Sequence, residues 1–153
     1  MSRDVNARRL FVLIVDDNRN NADTLAELLR LKGHNARVAY SGAQALVIVR
    51  VWRPDVAILD VDKGGVRGVE LARGMRKTVA GPIMLVAVSE VGANDEVAWM
   101  NARAFDHVFL KPMDKDDLLR LLGESCVRVD SLTAGAKVAR EWIEQHGDMR
   151  LRK

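Results

Sequence analysis

Val56-Ala57-Ile58-Leu59-Asp60 is the stretch on which the fold turns. Four consecutive apolar residues lie between Pro54 and a loop signal, Asp62-Lys63-Gly64-Gly65 followed by Gly68. A short apolar run bounded by turn residues predicts a strand buried on both faces. Such strands belong to parallel sheets, whose ligands gather at the carboxyl ends of the strands. Asp60 occupies that end, so it is the first residue to which chemistry is assigned.

The same pattern repeats outward. Leu10-Phe11-Val12-Leu13-Ile14-Val15 predicts a strand that stops at Asp16-Asp17. Asn20 or Asn21 then caps a helix with the stripe Ala22, Leu25, Ala26, Leu28 and Leu29, closed by Gly33. Residues 35–40 predict a second strand, and Ser41 caps a helix through Ala43, Ala45, Leu46, Val49 and Trp52. Beyond the Gly-rich loop, residues 69–76 have a helical pattern and residues 83–88 form a fourth strand stopping at Ser89. Asn94 or Asp95 opens a helix through Val97, Ala98 and Ala102 that also carries Trp99. Residues 107–110 predict a fifth strand ending in Lys111-Pro112, and Asp114 caps a helix with Leu118, Leu119, Leu121 and Leu122. Alternating strands and helices imply an α/β fold, a doubly wound parallel sheet of five strands with helices on both faces.

Composition narrows the function classes. A chain of 153 residues supports one well-buried core, and 48% hydrophobic with 29% charged residues excludes general disorder. Net charge is only +3, and the cations are spread along the chain without an aromatic platform, which argues against nucleic-acid binding. Cys126 stands alone, so no intrachain disulfide forms. No apolar run approaches the roughly 18 residues of a spanning helix, and the start lacks the apolar core of a signal peptide, so a cytoplasmic location is expected. We divide the chain into an arm (1–8), one domain (9–123) and an extension (124–153). Residues 124–130 are poorly periodic, and 133–145 read as one more helix whose stripe, Ala136, Ala139, Trp142 and Ile143, serves dimerisation or docks back on the domain.

The strand exits carry Asp16, Asp17, Asp60, Ser89 and Lys111. In a doubly wound sheet these exits share one edge, so residues distant in sequence converge there. Three clustered carboxylates repel one another, and a hard divalent cation, Mg²⁺, relieves them. A phosphoryl group brought to Asp60 would meet a carboxylate nucleophile, with Lys111 to neutralise its oxygens and the Ser89 hydroxyl to donate to one of them. His34, His107 and His146 share no ligand spacing, so they are read as surface or packing residues.

With those residues in that order, the sequence resembles the response-regulator receiver domains of two-component signalling, of chemotaxis-regulator type. The resemblance covers residues 9–122 and rests on Val15-Asp16-Asp17, Ile58-Leu59-Asp60, Val88-Ser89 and Leu110-Lys111-Pro112. Phe105-Asp106-His107 is similar to receivers related to hybrid sensor kinases. The resemblance implies a flavodoxin-like strand order, 2-1-3-4-5, and a phosphoacceptor at Asp60. It further implies Mg²⁺ held by Asp16 or Asp17 with Asp60 and the backbone carbonyl of Asp62. Ser89 would be the switch hydroxyl and Lys111 the phosphate-binding lysine. The phosphoryl group would come from a histidine kinase or phosphotransfer protein, and output would pass by protein contact, since about 30 further residues are too few for a DNA-binding module with its own core. Such a protein is a regulator rather than an enzyme, limited to self-phosphorylation and autodephosphorylation.

The chain also departs from the family pattern. Lys63-Gly64 and Arg67-Gly68 replace the usual apolar-Pro and Asp-Gly pairs, Glu90 replaces a small residue after the switch hydroxyl, and Val108 stands where an aromatic usually swings. These departures define an alternative, a pseudo-receiver that binds partners without phosphorylation. A third reading takes Leu59-Asp60-Val61-Asp62 as the nucleophile motif of a haloacid-dehalogenase-type phosphatase, although that motif usually opens its fold.

Overall fold

The computed structural model describes residues 9–61, 65–79, 81–90 and 104–131. The helix expected from Asn94 or Asp95, Asp62 and the helix at 133–145 lie outside the described residues. The elements are β1 (Phe11–Val15), α1 (Arg19–Leu31), β2 (Asn35–Ala39), α2 (Gly42–Val51), β3 (Val56–Asp60), α3 (Gly65–Thr78), β4 (Met84–Ser89), β5 (His107–Leu110) and α4 (Lys115–Ser131). The strands form one parallel sheet in the order β2-β1-β3-β4-β5, with β3 in the middle.

Strand alternation divides the core in two. Side chains two apart share a face of a pleated strand. Val12, Ile14, Val56, Ile58, Val86 and Val88 therefore meet α1 through Ala22, Leu25, Ala26 and Leu29, and meet α4 through Leu118 and Leu122. The intervening residues, Leu13, Val15, Ala57, Leu59, Leu85 and Ala87, meet Ala45 and Val49 of α2 and Ala72 and Met75 of α3. β1, β3 and β4 thus have no polar face, which is why their sequences read as unbroken apolar runs. The edge strand β5 is less covered, and Val108 and Leu110 are exposed.

Ser41 caps α2 by accepting from the Gln44 N–H, and Asp114 accepts from the N–H groups of Asp116 and Asp117 at the start of α4, as their sequence positions predict. Two boundaries differ. The cap of α1 is Asn18, not Asn20 or Asn21: its side chain accepts from the Asn21 N–H, so the helix begins earlier than expected, at Arg19. α4 also runs through Gly123 to Ser131, taking in the poorly periodic stretch. Its continuation is held partly by tertiary contact, since the Ser125 hydroxyl meets Met84 Sδ at 3.7 Å and bonds the Leu121 carbonyl. At Gly33 the chain leaves α1 with φ +97°, a conformation that favours glycine.

Candidate functional site

Main-chain bonds carry the sheet pairing one residue past the strand ends, and those bonds place the site. The Asp16 N–H donates to the Ala39 carbonyl (3.1 Å), the Val61 N–H to the Val88 carbonyl (3.1 Å) and the Lys111 N–H to the Ser89 carbonyl (2.8 Å). Asp60 itself pairs with Val88 across β3 and β4. The four exits are therefore fixed by the same ladder that builds the core. Behind Asp60, Val61 is buried against Gly68 of α3, where a Cβ would lie only 2.7 Å from Val61 Cγ1. Glycine at position 68 lets α3 approach the chain as it leaves Asp60.

Asp16, Asp60 and Lys111 line one cleft of about 780 Å³. Lys111 Nζ lies 2.8 Å from Asp60 Oδ2, with side-chain exposures of 31% and 18%, so the pair is largely shielded from water. The Lys111-Pro112 peptide is cis. Asp16 accepts a hydrogen bond from the Asn18 N–H at 2.9 Å. Burial pushes the Asp16 carboxyl above the usual carboxylate range; the Asn18 bond and the Lys111 charge oppose this, while Asp60 and Asp17 add to it. Asp16 thus senses the charge of Asp60.

Asp17 is exposed beside Asp16. Ser89 is buried, alone among the described polar and charged residues, and its hydroxyl is 3.5 Å from the Glu90 carbonyl, the outer limit of a hydrogen bond. Among the described residues, no three His, Cys, Asp or Glu side chains group as a metal cluster. Mg²⁺ needs fewer, because it commonly takes one or two carboxylates and completes its shell with water or phosphate oxygens. The donor pair of Asp16 and Asp60 fits that habit.

Several cleft residues have no chemical signature in the sequence. Asn20, Asn21 and Thr24 come from α1, and Met113 and Lys115 from the entry to α4. Their one signal is position, since they open the helices that follow Asp16 and Lys111. Glu90 lines the cleft as well.

Comparison with known proteins agrees with this fold. The profile of the response regulator receiver domain matches residues 12–123. Sensor histidine kinase AruS of Pseudomonas aeruginosa is 31% identical over 140 residues, covering 90% of this chain and 14% of that protein. DNA-binding response regulator MtrA of Mycolicibacterium smegmatis is 32% identical over 108 residues, covering 71% of this chain and 46% of that protein. The chain therefore spans less than half the length of either relative. Among solved structures, a CheY-like receiver domain from Methylobacillus flagellatus superposes with a TM-score of 0.67 at 28% identity, covering 78% of this chain and 99% of that one. A CheY-like receiver domain protein from Methanospirillum hungatei reaches a TM-score of 0.71 at 22% identity, covering 81% and 98%, a likeness of fold. By its sequence over residues 12–123 and its strand order, the chain belongs to the response regulator receiver domain family.

Proposed function

We propose that the chain is a phosphoacceptor module of a two-component relay, with Asp60 taking a phosphoryl group from a phosphohistidine on a histidine kinase or phosphotransfer protein. The observation that carries this reading is the Lys111 ammonium held on the Asp60 carboxylate, at the exit of the central strand and inside a cleft shared with Asp16. An Asp60 oxygen attacks phosphorus, and the Lys111 ammonium passes from the carboxylate to the phosphoryl oxygens as they arrive. Asp16 or Asp17 and Asp60 would hold Mg²⁺, together with the backbone carbonyl of Asp62, a residue outside those described, as the family resemblance implies. When bound, the cation neutralises the carboxylates and the incoming phosphoryl oxygens. Ser89, buried at the end of β4, donates its hydroxyl to a phosphoryl oxygen, and the resulting shift biases the exposed β5 edge toward a protein partner.

Incubation with a small phosphodonor and Mg²⁺ should add one phosphoryl mass to the chain. An adduct that survives Asp60→Asn would sink the reading.

One observation favours a second reading, the pseudo-receiver. Glu90 puts another carboxylate in the cleft where a phosphoryl group must enter. Under that reading no mass is gained at any donor concentration, and partner binding is unchanged by Asp60→Asn.

A further inference from the structure

We infer that Arg30 and Gln44 are guards that keep the open edge of β2 from pairing with the β2 edge of a second copy of this chain. β2 ends the sheet and is paired with β1 on one side alone. An edge strand presents a row of main-chain groups that can template the addition of another strand. The Asn35 N–H donates to the Leu10 carbonyl and the Ala39 carbonyl accepts from the Asp16 N–H, so residues 35, 37 and 39 turn their main-chain groups toward β1. By the alternation of a pleated strand, residues 36, 38 and 40 turn theirs outward. Two of these outward groups are taken by side chains. Arg30, in the last turn of α1, places Nη2 2.7 Å and Nε 3.2 Å from the Ala36 carbonyl. The Tyr40 N–H donates to Gln44 Oε1 of α2 at 2.7 Å. α1 and α2 cover opposite faces of the sheet, so the guards reach one edge from both layers. Between them, the outward groups of Val38 receive no side-chain bond among the described residues.

The complementarity of this edge with itself selects a second copy as the occupant. Two β2 strands laid antiparallel about a twofold axis at Val38 set Val38 opposite its copy and Ala36 opposite the partner's Tyr40. The two Val38 residues then exchange N–H and carbonyl bonds, and each Tyr40 N–H donates to the carbonyl of the partner's Ala36. That second bond joins the donor held by Gln44 to the acceptor held by Arg30. The guards thus occupy the two halves of one cross-strand bond, and pairing must break both contacts on each copy. The guanidinium fork suits the task, since it fills the Ala36 carbonyl with two donors at once.

The test follows mass by light scattering and exchange of the Val38 amide, both over a range of protein concentration, on the full chain. It compares the unaltered protein with Arg30→Ala, Gln44→Ala and the double variant Arg30→Ala with Val38→Pro, each shown to be folded by circular dichroism. In Arg30→Ala the mass should climb with concentration to about twice that of the unaltered chain. Its Val38 amide, turned to solvent in a single copy, should exchange about tenfold more slowly in the concentrated sample than in the dilute one. Gln44→Ala should behave alike at higher concentration, and it carries the test if Arg30→Ala does not fold. Val38→Pro removes the outward donor without removing a bond to β1, so in the Arg30→Ala background it should return the mass to that of the unaltered chain. If both guard variants keep the mass of the unaltered chain at every concentration, the inference is overturned, whatever happens to their melting temperatures. Association that leaves the Val38 amide in fast exchange, or that survives Val38→Pro, also overturns it, because the copies then meet elsewhere.

Discussion

At the scale of single residues, the site works against the stability of the protein that carries it. Asp16 is partly buried and lies in the field of two more carboxylates, so its charged form is disfavoured from several sides at once. Asn at position 16 keeps an oxygen for the Asn18 N–H and removes the charge. Asp16→Asn should therefore melt at a higher temperature than the parent in EDTA, and the advantage should shrink when Mg²⁺ is added. A lower melting point in EDTA would contradict this account of the cleft. Gly68 makes the opposite kind of demand. A Cβ there would sit 2.7 Å from Cγ1 and 3.0 Å from Cβ of Val61, which is itself buried, so α3 or the chain leaving Asp60 must move. Gly68→Ala should destabilise the fold by about 1–3 kcal/mol in urea titrations. Combined with Val61→Ala, the loss should be smaller than the sum of the two single losses. Strict additivity would show that the two residues are not in conflict.

At the scale of elements, the junction of α1, β1 and β2 holds a titrating hydrogen bond. His34 Nδ1 accepts from the Leu10 N–H at 3.1 Å, which requires that nitrogen to be unprotonated. Burial, and then the Arg9 charge, hold the His34 imidazole below its ordinary value of 6.5. Unfolded chains then bind the proton more readily than folded ones. The contribution of His34 to stability is complete above 6.5 and is lost as pH falls through that value toward the lower folded one. Urea midpoints taken from about pH 7.5 to about pH 5 should fall, and His34→Gln should flatten the slope over that interval. An unchanged slope in the variant would place the pH dependence elsewhere.

The same elements show what a sequence can and cannot disclose. The strands were legible because β1, β3 and β4 are covered on both faces and so have no polar residue until the sheet ends. That is also why Asp16, Asp60, Ser89 and Lys111 could be picked out: each marks the end of an apolar run. The cap of α1 was placed wrongly at Asn20 or Asn21, because Asn18 is a chemically equivalent cap and only its backbone geometry singles it out. Gly123 marked the end of the domain because the sequence past it is poorly periodic. Its position in α4 is open, with nothing within 4 Å of where a Cβ would be, and a contact from Ser125 to Met84 lies beyond it. Local pattern cannot report a bond made across the molecule.

At the scale of the whole molecule, the site is joined to the core so directly that a ligand at the sheet edge should be felt throughout. β1, β3 and β4 contribute to both core clusters, and the bonds that fix Asp16, Val61 and Lys111 extend their pairing. Unfolding that separates Asp16 from Asp60 must therefore break the sheet, and a cation held between them binds the folded chain alone. Under the phosphoacceptor reading, Mg²⁺ at a hundred times its dissociation constant should add about 2.7 kcal/mol of stability. For a chain of this size that corresponds to a rise of roughly 5–11 °C in melting temperature. The rise should saturate with Mg²⁺, reverse on addition of EDTA and be mostly absent in Asp60→Asn. General screening of the acidic cleft predicts something different, a small shift produced equally by sodium chloride at matched ionic strength and retained in Asp60→Asn. If the Mg²⁺ curve and the sodium curve coincide, the carboxylates of Asp16 and Asp60 do not hold a cation, and the charge logic that links them to Lys111 must be rebuilt from the ion pair alone.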